Sequence, residues 1–317
     1  MLSRRQVRIK VLHALYAYQQ TDKADLHAGQ QELNRSIDKF FDLFYFQLML
    51  LPEIVDVAAR LIEEGKQKRV PAPEDLNPQM NFVNNSLLKG LLENKNLAKI
   101  CQRRTINWTI NQDIPRRIFK KFRMSPVYKS YMQLQSPTFE QDKAVILKLL
   151  KKFIYTHRAL YDFYEENSLY WINDFDQVTF ILIKILMSLK ESNVSTYRFI
   201  DNYDNELQEE VFFANNLFQK TILHFDEYNN IISGYTQNWE MERVALMDNL
   251  IMKMAVCEFM EFSSVPVKVT LNEYIEIAKI YSTPKSNIFI NGVLDKLVDD
   301  YKKSGKIKKI GRGLIDN

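Results

Sequence analysis

The sequence predicts an all-α protein, a bundle of many packed helices. Its 317 residues include only eight Gly and nine Pro, so chain breakers are scarce. Leu, Ile, Lys, Glu and Phe are plentiful, a composition that favours helices. Apolar residues recur at helical spacing along most of the chain, and no segment is strand-rich.

The first helix is expected from about Arg4 to Gln20, burying Val7, Val11, Leu15 and Tyr18. Residues 21–30 form a polar break. A long amphipathic stretch from Glu32 to Lys68 follows, broken or kinked near Pro52. Pro71, Pro73 and Pro78 mark a loop or linker over 69–80. Residues 81–135 carry weaker helical patterns, interrupted at Pro115 and Pro126, and long helices resume from Phe139 to Tyr301. Trp171 and Trp239 stand 68 residues apart, an offset that aligns Val145 with Phe213 and Ile154 with Ile222. Two similarly packed helix pairs, near 140–190 and 208–262, are one reading; chance alignment of amphipathic helices is the other.

Residues 266–297 read as a helical hairpin. Thr270 and Glu273 have capping-box spacing, and Leu271, Ile275, Ala278 and Tyr281 share one face. Ser282 to Lys285, with Pro284, break the pattern. Ser286 is the expected cap of the second helix, whose stripe is Phe289, Val293 and Leu297. The apex therefore presents a helix N-terminus, with outward N–H groups near Lys285, Ser286 and Asn287 that suit an anion. Gly292 inside that helix costs about 1 kcal/mol relative to Ala, which suggests a close helix approach there.

Several function classes are disfavoured. Cys101 and Cys257 alone make no disulfide framework, and the first residues lack the apolar core of a signal peptide. The most apolar run, Phe40 to Leu51, holds Asp42 and Gln47 and is too short to span a bilayer. A reduced, cytoplasmic protein with no membrane association is expected. His13, His27, His157 and His224 are scattered, without metal-ligand spacing, and no phosphate loop or nucleophile elbow occurs. Neither enzyme activity, catalytic residues, cofactor nor metal is expected.

A net charge of +4 permits nucleic-acid binding without requiring it. Arg4, Arg5, Arg8 and Lys10 precede the first acid, Asp22, and suit phosphate contacts; a solvated basic terminus is the alternative. Lys302, Lys303, Lys306, Lys308, Lys309 and Arg312 surround three glycines, and read as a disordered tail that strengthens RNA binding or merely solubilises.

The string VPVKVTLNEYIEIAKIY followed by S-x-x-FINGVLDKL resembles the C-terminal signature of the NusB family of transcription antitermination factors. Arg4-Arg5-x-x-Arg8 followed by VLHALYAYQ resembles the family's Arg-rich start and first helix, and Trp239 to Phe262 resembles a further family helix through Val244, Met247, Ile251 and Met254. The resemblance covers residues 1–20 and about 208–301. It implies a NusB-like bundle with a large helical insertion: N-terminal helices over 1–64, an expansion over 65–207, a core over 208–301 and a basic tail over 302–317. Longer chains of this kind resemble those of Bacteroidetes-type bacteria.

The resemblance also implies a function. The protein would bind boxA-like RNA in nascent ribosomal RNA, as a heterodimer with NusE, a small-subunit ribosomal protein, in an antitermination complex with RNA polymerase. Arg4, Arg5, Arg8 and Lys10 would meet phosphates, and Tyr16 and Phe289 would stack on bases, unless each is simply packed. Lys285 and Ser286 would anchor a phosphate. Asp248 would lie at the NusE contact, Glu258 would buttress the fold, and Cys257 reads as a small buried hydrophobe. The sequence departs from the family pattern at Gln6, where many members have Arg, at Ile288, which replaces a Lys, and at Lys285, which replaces an Asp or Asn. Two competing readings are a ribosomal-RNA methyltransferase fused to such a domain, which would need an α/β domain to follow, and a protein-interaction scaffold built on the Tyr- and Phe-rich helices of 120–180.

Overall fold

The computed structural model describes residues 2–22, 25–201, 204–236 and 245–314. Every regular element among them is helical, as the composition and periodicity predict. In chain order the α-helices are α1 (Arg4–Gln19), α2 (Leu26–Lys66), α3 (Pro73–Leu76), α4 (Ser86–Leu92), α5 (Lys95–Arg103), α6 (Asp113–Arg123), α7 (Pro126–Met132) and α8 (Phe139–Leu149). They continue with α9 (Arg158–Asn167), α10 (Phe175–Ser188), α11 (Asn205–Leu223), α12 (Phe225–Tyr235), α13 (Leu246–Glu261), α14 (Val267–Tyr281) and α15 (Pro284–Lys303). Among the described residues no helix is long and apolar enough to cross a membrane. Trp239 and Val244 lie outside the described residues.

The chain divides into two compact units: a central unit, Asp38–Asp201, and a terminal unit made of Leu2–Ile37 and the chain after Asp201. The division falls inside α2 and before α11, whereas the sequence reading put its boundaries at 64/65 and 207/208. Pro52 does not break α2, which runs 41 residues through it. Leu48, Leu50, Leu51 and Ile54 around it are fully buried, and this packing outweighs the lost backbone hydrogen bond.

The central unit is held by aromatic packing and a few buried charges. Trp108 and Trp171 donate their indole N–H groups to the carbonyls of Phe46 (3.0 Å) and Lys39 (2.8 Å) on α2. Phe82, Phe119, Phe122 and Tyr128 form a second ring cluster. Asp142 is buried and accepts from Ser86 N–H and O–H and from Tyr131 O–H, each at 2.6 Å. Arg104 binds Asp38, Asp42 and Asp201, so one guanidinium joins the first and last residues of the unit. Burial opposes the Arg104 charge, but these carboxylates outweigh it and raise its pKa above the ordinary value. After α8 the chain takes a π-helical turn, Leu150–Ile154, that α11 does not share, so the α8/α10 and α11/α13 pairs differ in detail.

In the terminal unit α13 is the axis, and α1, α11, α12, α14 and α15 all pack against it. Its residues are buried without interruption from Leu250 to Phe259, Lys253 and Glu258 included, because other helices surround it. Cys257 is fully buried, and burial raises its thiol pKa to about 12. Three local expectations are corrected. Helix α14 begins at Val267, so Thr270 is internal and forms no cap. Thr283, not Ser286, caps α15, with Pro284 at the first helical position where its missing N–H costs nothing. Gly292 is exposed, and a Cβ there would meet nothing within 4 Å, so no close approach explains it.

The basic tail packs back against the end of α13. Lys309 donates to the carbonyls of Glu258 (3.2 Å) and Phe262 (2.9 Å) at the end of α13, and Ile310 N–H donates to Ser263. Burial lowers the Lys309 pKa to about 8.

Candidate nucleic-acid interface

Ser3 and Gln6 start α1 with a reciprocal capping box: Ser3 N–H donates to Gln6 Oε1 (2.7 Å), and Gln6 N–H donates to Ser3 Oγ (3.4 Å). Gln6 therefore has a local role that an arginine would not fill. The helix then lies along α14, with Arg5 against Glu273 and His13 against Tyr281. Both pairs share one offset in sequence, so the two helices run parallel, and the second half of α1 points toward the apex between α14 and α15.

Four cations were expected to face phosphate, and the structure divides them. Arg4 is half-exposed, pairs with Glu210 at 2.5 Å and lies over the Phe213 ring at 4.5 Å. Arg5 is half-exposed and forks onto Glu273 at 2.8 and 2.9 Å. The arginines are 42% exposed and their carboxylates only 21% and 20%, so an incoming phosphate can reach each guanidinium from its open side. Arg8 is different. Its side chain is 2% exposed and forks onto Glu258 at 2.8 and 2.5 Å. Burial opposes the Arg8 charge, yet the fork outweighs it and its pKa lies above the ordinary value. Glu258 also accepts from Thr270 O–H (2.8 Å) and Tyr274 O–H (3.0 Å). Arg8 is thus a core anchor, which corrects its expected phosphate role. Lys10 is corrected likewise, because it is 5% exposed.

Toward the apex the surface becomes aromatic and apolar. Tyr16 is 41% exposed and Ile288 is 76% exposed, with Phe289 half-buried between the helix face and solvent. Lys285 is exposed. Ser286 N–H is taken by Thr283 Oγ1 (3.1 Å), and their hydroxyls lie 2.9 Å apart, so Ser286 offers its side chain more readily than its backbone. Asp248, expected at a partner surface, is buried and accepts the Ser282 hydroxyl. Its work is to fix the C-terminal end of α14. Burial, helped by Lys10, lowers the His13 pKa to about 4, so its ring is neutral at neutral pH. Arg5 and Tyr16, on one face of α1, mark the two ends of a band about 16 Å long, from the rise per residue of a helix.

Sequence reasoning missed Glu210 and Glu273, the acids that hold the arginines, because both are remote in sequence. It also missed Thr283, although Thr followed by Pro is itself a helix-start signal. Among the described residues no three His, Cys, Asp or Glu gather as a metal site.

The terminal unit thus sets Arg5 and Tyr16 of α1 beside the α14–α15 apex with its Lys285 and Phe289. The NusB family model matches residues 176–299. A transcription antitermination protein NusB of Dictyoglomus turgidum is 33% identical over 133 residues, 42% of this chain and 90% of that protein. The chain therefore belongs to the NusB family. Proteins of the same name from Salinibacter ruber and Chloroherpeton thalassium are 45% identical over 103 residues and 40% identical over 100 residues. Each match covers 32% of this chain, and they span 64% and 47% of those relatives. No solved structure matches the chain.

Proposed function

We propose that the chain is an RNA-binding transcription antitermination factor. It acts with NusE on boxA-like sequences of nascent ribosomal RNA, in a complex with RNA polymerase, and in the cytoplasm. The observation that carries this reading is the terminal unit itself. Its arm and hairpin, the parts whose residues resemble the family signature, present Arg4, Arg5, Tyr16, Lys285 and a partly exposed Phe289 on neighbouring elements.

The mechanism is binding without bond chemistry. Phosphates exchange for Glu210 and Glu273 on Arg4 and Arg5, and the release of counterions drives association. Tyr16 and Phe289 offer ring faces to unstacked bases, each worth about 1–3 kcal/mol. Lys285 and the Ser286 hydroxyl hold a further phosphate at the start of α15. Asp248 serves a NusE contact only indirectly, through the apex that it fixes by Ser282.

The scaffold alternative keeps only part of its surface: Phe122, Tyr131, Tyr164 and Phe175 are buried in the central unit, while Tyr155, Tyr161 and Phe180 are exposed. The test is fluorescence anisotropy with a boxA-type RNA and a scrambled control, with and without NusE, at two salt concentrations. The triple variant Arg4→Ala, Arg5→Ala, Phe289→Ala should lose at least tenfold in affinity for the boxA-type RNA. Unchanged affinity would sink this site.

A further inference from the structure

The central unit carries a concentration of positive charge that the terminal unit's proposed site does not use. Residues 113–158 hold eleven Lys and Arg against three Asp and Glu. The whole chain is only +4, so the remainder is net acidic. Of the three acids, Asp142 is buried in its own hydrogen bonds, Glu140 pairs with Lys143, and Asp113 pairs with Arg117.

The cations converge on one place. Helix α6 buries Ile118, Phe119 and Phe122 and leaves Arg116, Arg117, Lys120 and Lys121 exposed on its other side. The π-helical turn packs on α6 through Phe153, whose ring centroid is 5.2 Å from that of Phe122. That turn carries exposed Lys151 and Lys152. His157, a few residues on, confirms the crowding: burial, then Lys121 and Arg117, lower its pKa below the ordinary value.

We infer that this face, built on α6 and the π-helical turn, is a second RNA-binding surface that holds phosphate backbone without reading sequence. Three observations choose the occupant. A cluster of six cations spread over two elements, one of them paired with Asp113, fits a polyanion. All six sit on exposed helical surface as long, mobile side chains, which suits contact to backbone rather than to base edges. An amphipathic helix that enters a membrane needs a free apolar face, and the apolar face of α6 is already buried in the unit's own core. That the polyanion is RNA rests on the function proposed above.

The experiment measures binding of the full chain to a uridine-only RNA thirty nucleotides long, by anisotropy at 50 and 200 mM salt. The variant Arg116→Gln, Lys120→Gln, Lys121→Gln changes only exposed residues, and its melting curve checks that it folds. It should bind the RNA at least tenfold more weakly, with the slope of log affinity against log salt shallower by about 2, from about 0.7 per phosphate on a single strand. Replacing the same residues so as to keep charge (Arg116→Lys, Lys120→Arg, Lys121→Arg) should restore both. The preference for boxA-type over scrambled RNA should survive, since that belongs to the terminal unit. Unchanged affinity for the uridine RNA overturns the inference while leaving the antitermination reading intact. Loss of binding to vesicles containing phosphatidylserine, with RNA affinity unchanged, overturns it in favour of a membrane. If the boxA preference is absent in the unmodified chain yet uridine binding falls in the variant, the basic face stands and the antitermination reading fails.

Discussion

Glu258 accepts four hydrogen bonds at once, two from Arg8 and one each from Thr270 and Tyr274, in a site sealed from water. Removing one partner of a buried ion pair strands the other charge, at a cost of about 3–5 kcal/mol. Urea unfolding of Glu258→Gln should show a loss of that size, and pairing it with Arg8→Met should recover much of it. His13 gives a pH signature. Its folded pKa of about 4 lies below the unfolded value of 6.5, so the unfolded chain binds the proton more tightly. Stability is therefore complete above pH 6.5 and falls as pH drops toward 4. The His13 contribution should shrink by about 2 kcal/mol between pH 7 and pH 5. Comparing His13→Phe with the parent chain by denaturant melts at both values isolates it; equal losses in the two proteins would refute the assignment. At this scale the sequence was partly legible. Arg8 stands three and seven residues before Val11 and Leu15, so the helical period already put it on the buried face. Its partner lies 250 residues away, and no local pattern could name it.

Helix boundaries depended on caps, and caps were where the reading of α14 and α15 failed. Thr270 with Glu273 has the right spacing for a capping box, but Thr270 faces Glu258 and Glu273 faces Arg5. Both side chains are claimed by tertiary partners, and the helix starts a turn earlier. Thr283→Ala should cost about 1 kcal/mol by removing the cap of α15, visible in thermal melts. Glycines in helices separate two cases. Gly292→Ala should stabilise the protein by about 0.5–1 kcal/mol, because the new methyl meets only solvent. Gly90→Ala should do the reverse, since its methyl would sit 2.2 Å from Val194 Cγ1, on a stiff β-branched side chain. A loss of about 1–3 kcal/mol, reversed in part by Val194→Ala, is the expected double-mutant result. Helix existence and the apolar stripes were readable because period 3.6 is a local property. The continuity of α2 through Pro52 was not, because it depends on what is packed around it.

For the whole molecule, mean charge hid the arrangement that matters. A chain at +4 gives no reason to expect a segment with eleven cations against three acids over 113–158. Folding sorts those residues by giving the apolar side of α6 a core to enter, which leaves the cations only the surface. The basic tail shows the opposite outcome from the same composition. Its Lys309 is drawn inward by the carbonyls at the end of α13, so a segment rich in lysine and glycine is tied down rather than free. The all-helical class was legible throughout. The division into units was not, because its first boundary lies inside one continuous helix, where neither proline nor a change of composition marks it.

Arg104 bridges the residues at which the central unit begins and ends. A segment whose entry and exit are held by one side chain asks little of the chain that hosts it: two neighbouring ends can be spliced into an existing fold much as a surface loop can. The closure cost of such a graft grows only with the logarithm of its length, so 160 or so residues are little harder to accommodate than a dozen. The clasp makes Asp38 and Asp201 the two points at which a protein engineer would cut to excise or exchange the segment.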